Sequence, residues 1–211
     1  MTLHLETRQK RLLIVLAGAL VVCILALAFV AGRVGTGPQY PAANSADAGF
    51  ARDMQVHHAQ AVEMSRLIRD RTDNEVVRTI AYDVAMTQQH QIGQMYAWLE
   101  EWGLPQSSGE PTMAWMAGGM DHGNEGGMLG DNGLMPGMAT PEQIAELSDA
   151  SGAEAERLYL TLMIAHHTAG ADMAQAGAEL VQEPRVRVAA EKMVASQVAE
   201  ITAMQDLLDE L

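Results

Sequence analysis

The chain has 211 residues, 48% of them hydrophobic and 4% aromatic, a globular composition with room for one ordinary domain and a short extra segment. A formal charge of −14 argues against a nucleic-acid surface, and a single cysteine, Cys23, excludes a disulfide framework. The charge is uneven: Arg8, Lys10 and Arg11 face only Glu6 before Arg33, whereas 26 acidic and 9 basic residues follow it, giving 9 − 26 = −17 for that part. So acidic a domain suits cations or basic partners, or simply keeps an exported domain soluble.

Leu12 to Gly32 is 21 residues without a charge, enough to cross a bilayer as a helix. The basic residues before it predict a cytoplasmic N-terminus (1–11), a transmembrane anchor (12–32), a Gly- and Pro-containing tether (33–44) and an extracytoplasmic remainder. The alternative is secretion after signal cleavage, because Ala26-Leu27-Ala28 resembles a small-x-small site. Cys23 lies within the apolar run behind bulky Val22, which is not a lipidation context.

The remainder, 45–211, is rich in Ala, Leu, Met, Glu and Gln, which favour helices. A first helix is expected from about Ser45 to Arg71. Thr72-Asp73-Asn74-Glu75 has capping-box form and opens a second, which runs to about Trp102 and stops at Gly103-Leu104-Pro105. A Met- and Gly-rich loop spans 103–139. Thr140-Pro141-Glu142-Gln143 starts a short helix with Pro at its first position. Ser151-Gly152-Ala153-Glu154 has capping-box form again and opens a third long helix, which ends before Pro184. A fourth takes the chain to its terminus.

An internal repeat orders these helices. Met54-Gln55-Val56-His57-His58 recurs as Met163-Ile164-Ala165-His166-His167, and Met64 as Met173; Gln88, Ile92 and Met95 recur as Gln197, Ile201 and Met204. Each pair is separated by the same 109 residues. A constant offset through two successive helices indicates a duplicated hairpin, one at 45–102 and the other at 140–211. The predicted fold is an all-α four-helix bundle, preceded by one transmembrane helix.

At about 100° per residue, Met54, His57, His58, Ala61 and Met64 share one inward arc, as do Met163, His166, His167, Gly170 and Met173. His90 points away from the corresponding face of its helix and reads as a surface residue. A lone inward histidine is commonly a hydrogen-bonded core residue, and methionine fills gaps in cores. Duplication favours metal binding instead, because four imidazoles and four thioethers are costly to bury without partners. The candidate ligands are Met54, His57, His58, Met64, Met163, His166, His167 and Met173. Methionine stands where di-iron bundles place the glutamate of Glu-x-x-His, so soft Cu(I) is favoured, with imidazole able to hold Cu(II). Zinc is the weaker candidate. Imidazoles of ordinary pKa, about 6.5, would release metal between about pH 7 and pH 5.

The loop adds Met113, Met116, Met120, His122, Met128, Met135 and Met138. Its glycines and lack of periodicity suggest an exposed thioether segment that collects Cu(I), with Trp115 as a shield. The alternatives are a Met-rich linker or a hydrophobic contact site.

Phe50-x-x-x-Met54-x-x-His57-His58-x-x-Ala61-x-x-Met64 and Leu162-Met163-x-x-His166-His167-x-x-Gly170-Ala171-x-Met173 resemble the paired signatures of the domain-of-unknown-function family 305. The run from Met138 through Thr140-Pro141-Glu142-Gln143 to Ser151-Gly152 is similar to the stretch before that family's second motif. The resemblance covers about Asp47 to the C-terminus. It implies an exported ferritin-like bundle, bacterial, with some members linked to copper. The halves differ in one respect: Gln91-Ile92 in the first stands where the second has Glu200-Ile201.

These features together predict a copper-binding protein on the outer face of a bacterial cytoplasmic membrane, buffering copper or passing it to a copper-handling partner, and not an enzyme. The rivals are an accessory subunit docked on a membrane complex, with the motifs as core, and a di-metal redox enzyme, which the missing carboxylates oppose.

Overall fold

The computed structural model describes residues 6–34, 40–119, 129–130 and 132–211. The chain divides into two compact units, Met1–Tyr40 and Pro41–Leu211. In the first, helix α1 (Thr7–Val34) is long and apolar enough to cross a membrane, and its large apolar side chains from Leu12 to Val30 are all exposed.

The second unit is built from α2 (Ala46–Arg69), α3 (Glu75–Glu101), α4 (Pro141–Asp149), α5 (Gly152–Leu180) and α6 (Pro184–Glu210), with no strand among the described residues. Ser45 caps α2 by accepting from the Ala48 amide at 3.2 Å. Thr140 and Gln143 form the expected capping box on α4, with Pro141 in the first turn. The other two expected boxes do not form. Asn74, not Thr72, caps α3, accepting from the amides of Val76 and Val77. Ser151 makes no side-chain cap on α5.

Long-range contacts organise the turns before α6 and α3. Asp47, on α2, accepts from the amides of Gln182 and Glu183 at the start of α6. Glu156, its partner at the 109-residue offset, accepts from the Thr72 hydroxyl and from Asn74 Nδ2 at the start of α3. Each hairpin's first helix thus holds the turn of the other hairpin. A carboxylate at a helix N-terminus satisfies free amides and meets the positive end of the helix dipole.

Helices α2 and α5 run antiparallel through the middle. Gly177 packs on the Phe50 ring, Gly170 on His57, and Tyr159 hydrogen-bonds Ser65 at 3.1 Å. Two apolar clusters result. One gathers Phe50, Met54, Met95, Leu99, Met173 and Met193; the other gathers Met64, Ile68, Val84, Leu160, Met163 and Met204. Because the helices are antiparallel, the first methionine of each motif lies with the last methionine of the other. Between the clusters, every long helix of the bundle contributes buried polar residues: His57 and His58, Gln88, His166 and His167, and Gln197.

Among the described residues of the loop, the methionines are not exposed as its composition suggests. Met113, Met116 and Met135 are buried in the first cluster and Met138 is half-buried against it. Polar anchors hold the loop there. Asp53 accepts from the Met113 amide at 2.7 Å and from Trp115 Nε1 at 2.9 Å, while Trp115 meets the Phe50 ring edge-on. Gln60 both donates to and accepts from the backbone of Ala139, at 2.9 and 2.7 Å. Met120, His122 and Met128 lie outside the described residues.

Candidate metal centre

The four histidines sit where α2 and α5 cross, and all are fully buried. The His57 and His166 rings lie 3.8 Å apart between centroids; the His58 and His167 rings lie 6.5 and 6.1 Å from those of their sequence neighbours.

Hydrogen bonding fixes the protonation of three of the rings. Nε2 of His57 lies 3.2 Å from the Pro136 carbonyl, and Nε2 of His166 lies 2.9 Å from the His57 carbonyl. A carbonyl only accepts, so both Nε2 atoms carry the proton and donate it. Nε2 of His167 lies 2.7 Å from Glu200 Oε2, again an acceptor, with Gln88 Nε2 at the edge of contact at 3.5 Å. The lone pairs of all three rings are therefore on Nδ1. These three Nδ1 atoms are buried and have no hydrogen-bond partner. Histidines that bind metal through one nitrogen characteristically donate the other N–H to a carbonyl or carboxylate.

His58 differs. Gln91 faces it, but neither ring nitrogen reaches a partner within hydrogen-bonding geometry. Gln88 Oε1 and both amide atoms of Gln197 are likewise buried and unpaired. Each such atom costs roughly 1–3 kcal/mol. That is an expensive layer to maintain for packing alone.

Burial keeps the His57, His58 and His166 rings neutral. It pushes His57 down to about 4 and His58 to about 3, with His167 opposing protonation of both and His57 adding to the effect on His58. His166 is held well below the ordinary value by burial and then by His57, His167 and His58. Release of metal through ordinary imidazole titration between pH 7 and pH 5 does not apply to these rings.

Among the described residues no three imidazole, carboxylate or thiolate side chains converge as a group able to hold one ion. The layer offers nitrogen donors in neighbouring pairs, with the buried thioethers of Met54 and Met173 on one side and of Met64 and Met163 on the other. This donor set suits a soft, low-coordinate ion better than one that needs a complete oxygen–nitrogen cage. His90 is exposed and apart from the layer.

Access to the layer is unequal on its two sides. The Met135–Ala139 segment closes one side, with Gly137 so near α5 that a Cβ there would lie 2.6 Å from the Ala165 carbonyl. A groove of about 440 Å³ between α3 and α6 has Gln91 in its wall, next to His58. A larger cleft of about 800 Å³, among Arg69, Arg71, Ser148 and their neighbours, holds none of the histidines. Gln88, Gln197 and Glu200 are site residues that the two histidine motifs do not include. The 109-residue offset marks the two glutamines, and the Gln91/Glu200 mismatch marks the third.

The chain matches the family model described as Domain of unknown function (DUF305) over residues 47–208. It is similar to a solved DUF305 protein from Streptomyces coelicolor, at 48% identity and a TM-score of 0.71, over 80% of this chain and 95% of that one. It is similar to a DUF305 fragment from Deinococcus radiodurans at 30% identity and a TM-score of 0.64, over 83% of this chain and 100% of that one. CopM in its Cu(I)-bound form shares the fold at 19% identity and a TM-score of 0.58, over 78% of this chain and 96% of that one. None of the curated proteins matches.

Proposed function

The chain belongs to the DUF305 family, and from that premise we propose that it is a membrane-anchored, extracytoplasmic copper-binding protein that buffers copper or passes it on. The observation that carries this reading is the set of buried histidines whose Nε2–H groups are pinned, leaving partnerless Nδ1 lone pairs between layers of thioethers. His57, His58, His166 and His167 supply nitrogen. Met54, Met64, Met163 and Met173 supply thioether sulfur, which has no proton to lose and prefers Cu(I). CopM, a structural neighbour, has been solved with Cu(I) and with Cu(II), which supports the reading without assigning this chain's ligands.

The loop divides in this proposal. Met113, Met116 and Met135 serve the core, whereas Met120, His122, Met128 and Met138 are proposed as accessory thioether and imidazole donors. Helix α1 acts as the anchor, with the basic N-terminus inside. The protein acts as a carrier and not as a catalyst, because the motifs offer imidazole and thioether donors to a soft ion in place of the Glu-x-x-His ligands of di-iron redox centres.

The test is metal competition on the full chain in detergent. Loaded with Cu(I), Zn(II) and Fe(II) together and dialysed, the protein should retain copper. Retention of zinc or iron with copper lost would overturn the reading. Retention of no metal would point instead to an accessory subunit whose histidine layer is structural.

A further inference from the structure

The outward face of α3 is unlike the rest of an acidic surface. Tyr82, Met86, Gln89, Gly93, Tyr96 and Glu100 recur at alternating spacings of four and three, which sets them on one side of the helix. All six are exposed, Tyr82 by 47%, Met86 by 55% and Tyr96 by 50%. Residues 84–99 include no Asp, Glu, Lys or Arg, in a chain of which 19% is charged. Gly93 stands mid-helix, where glycine is a weak helix former, and a Cβ there would meet nothing within 4 Å. The described chain does not use that space; it lets another molecule come close to the α3 backbone.

The two ends of this face carry opposite charge. At its start Arg66 and Arg69 of α2 and Arg78 of α3 line a cavity of about 250 Å³ together with Asp70. None of the three arginines makes an ion pair with a described residue. The Arg69 guanidinium lies over the Tyr82 ring, 5.2 Å from its centroid, so the basic cluster adjoins the face. At the other end Gln106 Nε2 donates to Glu100 Oε1 at 3.1 Å and to the Tyr96 carbonyl at 3.2 Å, which holds the exposed Glu100 beside Tyr96.

We infer that the outward face of α3 is a docking surface for a second copy of this chain, packed antiparallel across it. A face with one sign of charge at each end is complementary to itself. An antiparallel copy sets its Glu100 against Arg66, Arg69 and Arg78, and the same contact forms twice, as a two-fold interface requires. A parallel copy would set arginines against arginines. Between the ends, the uncharged stretch is where two acidic domains approach with least repulsion. Its tyrosines and methionines are the side chains that interface centres favour. A contact confined to one helix face belongs with the small interfaces, below about 1,200 Å² in total, so association should be weak, on the order of micromolar.

The test uses the full chain in detergent, by sedimentation equilibrium over a dilution series. The wild type should pass from monomer to dimer as concentration rises. Met86→Glu sets two carboxylates into the uncharged stretch and should weaken association about tenfold or more, with helicity unchanged. Disulfide formation in a Cys23→Ser background then reads the direction. Gln89 stands midway between Arg78 and Glu100 in sequence, so Gln89→Cys lies near the two-fold axis and should cross-link to its own copy. Thr79 is ten residues away, about 15 Å along the helix, so two copies of Thr79→Cys stand about 30 Å apart in the antiparallel pair and should stay unlinked. A wild type that is monomeric throughout the series overturns the inference. So does a dimer that Met86→Glu leaves unchanged, because it is held elsewhere, as at α1. Equal cross-linking of both cysteine variants would mean a parallel pair and overturn it too. If Met86→Glu fails to fold, the cysteine variants decide alone, and Gln89→Cys chains that stay unlinked overturn the inference.

Discussion

The rings of His57 and His166 face each other at 3.8 Å, tilted by 32°, and His166 Nε2 donates to the carbonyl of His57 itself at 2.9 Å. The two residues occupy the same position of the two motifs, so the halves of the bundle meet at this contact. Two imidazolium charges so close in a dry interior would repel strongly. The pair is stable only as neutral rings, and neutral rings are metal ligands.

That requirement gives the fold a pH dependence with a definite sign. His57 and His58 titrate near 6.5 when unfolded but at about 4 and about 3 when folded. Below pH 6.5 the unfolded chain binds protons that the folded one refuses. Stability is therefore fully present above about pH 6.5 and is lost as pH falls toward about 4, by up to roughly 1.4 kcal/mol per pH unit for each ring. Urea titrations from pH 7.5 to pH 4 should show this slope in the metal-free protein. Level stability over that range would mean the rings are not desolvated. In the copper-loaded protein, release should coincide with acid unfolding below about pH 5 instead of following ordinary histidine titration.

The loop should prove structural where it is buried. Met113→Ala, Met116→Ala and Met135→Ala each remove a core side chain and should cost about 2–4 kcal/mol. Met138→Ala, half-buried, should cost less. Deletion of 112–139 also removes the backbone that Gln60 clamps and the carbonyl that His57 bonds, and should lower the melting temperature by more than any one of these changes. Thermal melts by circular dichroism would check it. A deletion that melts like the wild type would restore the reading of the loop as an exposed collector.

Much of this architecture was legible because helix periodicity and a fixed offset are local or translational signals. The inward arc of Met54, His57, His58 and Met64 follows from spacing alone, and the offset brought Gln88 and Gln197 into register with it. The burial of Met113 and Met135 is not legible, because glycine content reports chain freedom, whereas their packing depends on Asp53 and Gln60, which lie on another element. Capping failed for the same reason. Thr72 has the right local pattern, but its hydroxyl donates to Glu156, distant in sequence, and beside Ser151 the Gly152 amide donates to the distant Arg71 carbonyl. The lone-pair assignment of the histidines depends on the carbonyls of Pro136 and His57, which no motif records.

Those distant contacts make a prediction of their own. Asp47→Ala frees the amides of Gln182 and Glu183 at the start of α6. Glu156→Ala removes the partner of Thr72 and Asn74 at the start of α3. Each should cost about 1–2 kcal/mol. Because the two act at different turns and share no partner, their costs should add within about 0.5 kcal/mol in the double variant. Strong non-additivity would show that the turns are coupled through the α2–α5 interface.

Gly170 offers the sharpest separation of binding from folding. It lies in α5 beside the histidine layer, where a Cβ would come within 2.3 Å of Gln197 Oε1 and 3.1 Å of His57 Cε1. The equivalent position of the first half is Ala61, fully buried within α2. In Gly170→Ala the helix gains about 1 kcal/mol of propensity, and the far end of Gln197 can swing aside. His57 must shift by a few tenths of an ångström, which the fold tolerates but a ligand set does not. The melting temperature of the metal-free protein should therefore change by only a few degrees in either direction, while copper affinity falls on the order of tenfold or more. Chelator competition beside thermal melting reads both quantities on one sample. Unchanged copper affinity in a stably folded Gly170→Ala protein would place the metal away from His57, and a large loss of stability would show that the polar layer is packed too tightly to admit an ion.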